Sequence, residues 1–149
     1  MTATSHAAAG AAIALIVKEP LIALPLALIS HFVMDALPHF GYPGHGGFGE
    51  ALKHRLTYIF ISIDIVAFIF FVTLITELPW VVIFAALVAI VPDIIWVIYY
   101  FGYERRGLTP PGKNFLNFHS RLQWCERPWG IWIEVGAIVS LLYLVIILR

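Results

Sequence analysis

From Pro79 to Phe101 the chain is apolar except for one carboxylate, Asp93, and the aromatic hydroxyls near its end. Leu21–Leu37, Leu56–Thr76 and Trp129–Leu148 have the same character, and Ala7–Val17 is a shorter run closed by Lys18-Glu19-Pro20. A helix crossing a hydrocarbon core needs about 20 such residues, within a range of roughly 17–25. Composition follows from these runs. The chain is 61% hydrophobic and 12% charged, where soluble domains run near 45–50% and about 25%. An ordinary soluble globule and a disordered chain are both excluded. The expected fold is all-α, a polytopic membrane helix bundle with about five transmembrane helices, in a single integral membrane domain over residues 1–149. The first run is short for a span, which leaves a tilted, re-entrant or protein-shielded helix open. It is read as retained, because its first cation, Lys18, follows the apolar stretch, the reverse of a cleavable signal.

Nine basic and nine acidic residues cancel, so there is no basic surface to attract nucleic acid. With five spans, one side carries Lys53, Arg55, Arg105, Arg106, Lys113, Arg121 and Arg127, and the other only Lys18 and Arg149. The Lys/Arg-rich side faces the cytoplasm in multi-pass proteins. This predicts a cytoplasmic N-terminus. Phe115–Trp124 alternates apolar with polar residues and is expected to lie in the headgroup region as a short interfacial amphipathic helix.

Ionisable groups inside spans are costly and mark function. At 1.5 Å per residue, Asp35 and His31 lie about 3 and 9 Å from the inner end of the second run, and Asp93 and Asp64 about 12 Å from the inner ends of theirs. Glu134 and His6 also sit near inner ends. Five segments therefore deliver polar groups to one half of the bilayer. His31 and Asp35 are four residues apart and share a helical face; an imidazole and a carboxylate so placed can grip one divalent ion, and further ligands must come from His6, Asp93 and His119. Asp64 or Glu134 is an alternative carboxylate, Asp64 also as an outer carboxylate that orients a histidine. Mixed His/carboxylate ligation suits zinc, manganese or iron, and the lone Cys125 rules out a closed Cys site. His45 and His54 read as loop residues. Gly44–Gly49 matches G-x-G-x-x-G, but no βαβ unit surrounds it. No serine lies in a nucleophile elbow.

Ser30–Gly41 resembles the S-H-x-x-x-D segment of inner-membrane metal-dependent hydrolases, a family also described as LexA-binding. Ser5-His6-Ala7-Ala8-Ala9-Gly10 is similar to that family's N-terminal histidine segment. Val91-Pro92-Asp93-Ile94 resembles its P-D-I-D-H motif, with Ile95 and Trp96 in place of the second Asp and the His, and His54-Arg55-Leu56-Thr57 is faintly similar to its H-R-G-x-T-H-S. The P-D element follows the S-H-x-x-x-D segment here, where the family has it before. The resemblance implies a metal-dependent hydrolase and carries over to His6, His31, Asp35 and Asp93.

The resulting expectation is a membrane-embedded hydrolase with a divalent ion (zinc or manganese) on His6, His31, Asp35, Asp93 and His119. Asp64 or His39 would be the general base, and Arg121 would steady an anionic, lipid-like or phosphoester substrate. The alternatives are a proton or ion conduit, and a structural membrane protein without catalysis. A bundle this small is also compatible with a homodimer.

Overall fold

A computed structural model describes residues 1–41, 52–109 and 111–149. His45 and the glycine-rich Gly44–Gly49 lie outside them. The described residues form six α-helices: α1 (Ala3–Val17), α2 (Pro20–Asp35), α3 (Arg55–Ile75), α4 (Trp80–Gly102), α5 (Lys113–Leu122) and α6 (Ile131–Leu148). Short 3-10 turns at Glu104–Arg106 and Pro128–Gly130 extend the C-terminal end of α4 and lead into α6.

Among the described residues, three helical stretches are long and apolar enough to cross a membrane: Arg55–Ile75, Trp80–Arg106 and Pro128–Leu148. The expected count of five spans is thus met only in part. α1 has 15 residues and α2 has 16. At 1.5 Å per residue they reach about 22 and 24 Å, short of a hydrocarbon core of about 30 Å. Between them the chain reverses at Lys18, which takes a left-handed conformation (φ 61°) and closes α1 with a hydrogen bond to the Ala14 carbonyl, before Pro20 opens α2. The two form a helical hairpin whose polar ends, Thr2–His6 and His31–Asp35, stop inside the bundle.

α1 is the central element, in contact with α2, α3, α4 and α6. Ten of its residues are buried, most of them Ala. Small side chains let helix backbones approach closely where lipid supplies no hydrophobic drive for association. Gly10 shows how close: a Cβ there would lie 2.4 Å from the Ala85 carbonyl oxygen of α4. α2 contributes one stripe at four-residue spacing, Ala23, Ala27, His31 and Asp35, all buried. The stripe is small in mid-bilayer and polar at its end. Opposite faces carry exposed apolar side chains, among them Leu21 and Ile29 on α2, Val66 and Phe70 on α3, and Trp132 and Val139 on α6, suited to lipid contact.

A helix beginning inside a bilayer must satisfy its first four N–H groups without water. Here Thr2 N–H donates to Glu134 Oε1, Ala3 and Thr4 N–H donate to the two Asp64 oxygens at 2.9 and 3.1 Å, and Ser5 N–H donates to Thr2 Oγ1 at 3.3 Å. The Thr4 hydroxyl also donates to Asp64 Oδ1 at 2.6 Å. Two negative charges thus meet the positive end of the α1 dipole. The depth of Asp64, about 14 Å along α3, sets where α1 begins.

Candidate metal centre

Asp35 stands at the middle of the site and is fully buried. His6 Nε2 lies 3.1 Å from its Oδ1, and His31 Nε2 and His119 Nε2 lie 3.2 and 2.7 Å from its Oδ2. Asp93 enters from α4, its Oδ2 3.9 Å from His6 Nε2 and its Oδ1 3.8 Å from His31 Nε2. His6, His31, Asp35 and Asp93 each offer one ligand atom, and these atoms all lie within 4.8 Å of one another. His119 Nε2 lies 3.1 Å from His31 Nε2. Four helices, α1, α2, α4 and α5, deliver these side chains to one cluster. Three imidazoles present the same nitrogen to it.

The protonation pattern is partly fixed. His31 Nδ1 is 2.7 Å from the Ala89 carbonyl, which can only accept, so the proton sits on Nδ1. In the neutral ring Nε2 is then a lone pair aimed at Asp35 Oδ2 and His119 Nε2. A lone pair facing a carboxylate oxygen needs a positive charge between them, which a metal ion or the proton of a neighbouring ring supplies. A ligating histidine held by a carbonyl on its other nitrogen is the usual supporting arrangement of metal sites. Pro92, inside α4, contributes to it. Lacking an N–H, it leaves the Val88 carbonyl without a helical partner, one residue before the Ala89 carbonyl that His31 uses. The donor set, three imidazoles and two carboxylates, fits zinc, manganese or iron.

Aromatic rings fix the imidazoles. His6 and His31 stack with centroids 3.9 Å apart. Phe32, Phe115 and Trp96 pack edgewise or tilted around His119. His119 Nδ1 and His6 Nδ1 are buried and reach no hydrogen-bond partner among the described residues. The Met1 amino group lies 2.5 Å from Asp35 Oδ1.

The other residues singled out from sequence stand elsewhere. Both Asp64 oxygens are taken up by α1, which makes it a helix cap. His39 is buried, with Nδ1 donating to the Leu37 carbonyl at 2.8 Å and Nε2 3.8 Å from Glu126. Its own carbonyl accepts from Arg127 N–H at 3.0 Å, which ties the end of α2 to the chain entering α6. Arg121 is exposed on α5, two residues from the inward-facing His119 and so nearly opposite it. It takes no part in the cluster. Glu134 accepts from Thr2 and Phe40 N–H and acts on backbone. His54 is the half-buried residue before α3, and Cys125 is half-buried outside the cluster. One polar neighbour escaped the sequence reading. Gln123 Nε2 donates to Asp35 Oδ2 at 3.3 Å, and its place one turn beyond His119 was the available signal.

No family model matches this chain, nor does any curated protein or solved structure.

Proposed function

We propose that this chain is a membrane-embedded, metal-dependent hydrolase working at the cytoplasmic interface of an inner (plasma) membrane, on a phosphoester or lipid-like substrate. The reading is carried by one observation: His31, with its proton held at Nδ1 by Ala89, aims its other nitrogen at Asp35 Oδ2 and His119 Nε2, where the ligand atoms of His6, Asp35 and Asp93 also gather. The similarity of the His6, His31–Asp35 and Asp93 segments to inner-membrane metal-dependent hydrolases supports it. The Lys/Arg asymmetry supports the orientation.

A divalent ion held by these side chains supplies Lewis acidity and a bound water whose pKa falls toward 7. The protein's part is to hold and to expose. His6, His31, Asp35 and His119 are fully buried, whereas Asp93 is 30% exposed and lines a large cavity. Substrate therefore meets the centre on the Asp93 side. Hydrolysis joins the water oxygen to phosphorus, breaks the bond from phosphorus to the alkoxy oxygen, and transfers one proton to the leaving oxygen. Asp93 is the cluster carboxylate at which that proton is taken up and held.

The ion-conduit alternative has less support. Beyond the cluster, the described core is Ala7, Ala8, Ala11, Ala14, Ala23, Ala27, Ala85 and their apolar neighbours, closely packed. It offers no polar path onward.

The deciding experiment is elemental analysis of purified protein, paired with H31A and D35N. About one zinc, manganese or iron per chain, lost in both variants together with phosphoester hydrolysis, is the expected result. Metal-free protein in which H31A leaves every assayed activity intact would overturn the proposal.

A further inference from the structure

α3 and α4 are joined at one end by the short Thr76–Pro79 turn and touch little along their length. Toward the other end they enclose a cavity of about 1020 Å³, the upper end of the size range of ligand sites, roughly 300–1,000 Å³. Its walls, among the described residues, include Ile61 and Ile65 on α3 and Trp96, Val97 and Tyr100 on α4. Ile65 and Val97 are themselves exposed, so the cavity is open at its side between the two helices rather than enclosed. At its inner end stands the exposed Arg105, and at its floor Asp93.

We infer that this cleft takes the hydrocarbon chain of a single-chain amphiphile, admitted sideways from the membrane between α3 and α4, with an anionic phosphate head turned toward Asp93. This rests on the hydrolase reading and names its substrate class. Between α3 and α4 the walls are the apolar Ile61, Ile65 and Val97, against which a hydrocarbon chain leaves no polar group unsatisfied. Charge argues for the head. Asp64 and Glu134 are spent on the α1 N-terminus, and a divalent ion offsets Asp35 and Asp93. With the Met1 amino group held against Asp35, Arg105 is the remaining cation among the described lining residues. It stands about 18 Å along the chain from Asp93, so it draws the phosphate in at the mouth of the cleft, where guanidinium binds phosphate bidentately.

The test uses the full-length protein in nanodiscs and a long-chain alkyl phosphate carrying a mid-chain diazirine. After illumination, the label is expected on Ile61–Ile65 and Trp96–Tyr100. I61W/V97W, which fills the cleft, is expected to reduce labelling at least tenfold while metal content and melting temperature hold. R105Q is expected to weaken labelling by the alkyl phosphate severalfold and leave a diazirine-bearing long-chain alcohol unaffected. Label spread over Val66, Phe70 and Val139, or insensitive to I61W/V97W, overturns the chain site. Equal loss or retention of both probes in R105Q overturns the anionic head. Cleft labelling in a protein that binds no metal supports the chain site and defeats the hydrolase reading; a metal-loaded protein without cleft labelling does the reverse.

Discussion

Replacing Gly10 by Ala tests whether helix packing sets the geometry of the metal centre. The new Cβ would sit 2.4 Å from Ala85 O and 2.9 Å from both Ala85 C and Ala89 Cβ. Two of these are backbone atoms that no rotamer change can move. Restoring ordinary contact at 3.4 Å requires α1 and α4 to separate by about 1 Å, and overpacking of this kind costs about 1–3 kcal/mol, roughly 5- to 150-fold in the folding equilibrium. The same movement reaches the site, because His6 lies one turn before Gly10 on α1 and Asp93 one turn after Ala89 on α4. Their nearest atoms are already 3.9 Å apart. One ion with arms of 2.0–2.2 Å can join atoms no more than about 4.3 Å apart, so a further 1 Å puts the pair out of reach. The assay is reversible unfolding in mixed micelles with metal titration alongside. Gly136→Ala on α6 is the control. Nothing lies within 4 Å of its Cβ position, and the change should stabilise the helix by about 0.5–1 kcal/mol. G10A unfolding within 0.5 kcal/mol of the parent, or binding metal with unchanged affinity, would refute the reasoning.

Asp64→Ala removes the cap of α1 and should lower stability by about 1–2 kcal/mol in the same assay. Asp64→Asn, which keeps an accepting oxygen, should recover part of that loss and retain hydrolysis; a general base would instead lose activity in D64N at unchanged stability. Pro92→Ala should reduce metal affinity about 10- to 100-fold by disturbing the carbonyl that orients His31, measured by competition with a fluorescent chelator. Stripping the metal should lower the melting temperature, since a ligand at 100 times its Kd adds about 2.7 kcal/mol to the folded state. The protein should also release the ion as pH falls through the histidine range, because the rings bind only when unprotonated. Arg121→Ala should leave metal content unchanged and stability within about 0.5 kcal/mol.

What was legible in the sequence, and what was not, divides along one physical line. Helical rise turns position into depth, so the placement of His6, His31, Asp35, Asp64, Asp93 and Glu134 near one level could be read directly from their distances to the ends of the apolar runs. The structure brings His6, His31, Asp35 and Asp93 into one cluster with His119, which α5 carries inward. Rotation about a helix axis is harder to read. Arg121 and His119 look equivalent on a short polar segment, yet one is exposed and the other has no accessible surface. Apolar length leaves the span count open for a related reason. A run such as Ala7–Val17 counts the same whether lipid or protein surrounds it, and only its Ala and Gly content hints at a helix meant for protein on all sides. The same chemistry accounts for Asp64 and Glu134. A helix that starts within the bilayer cannot leave its N–H groups to water, so neighbouring helices must bring acceptors. Part of the acidic signal thus belongs to building the chamber, and the remainder, Asp35 and Asp93 with three imidazoles, is what the chamber encloses.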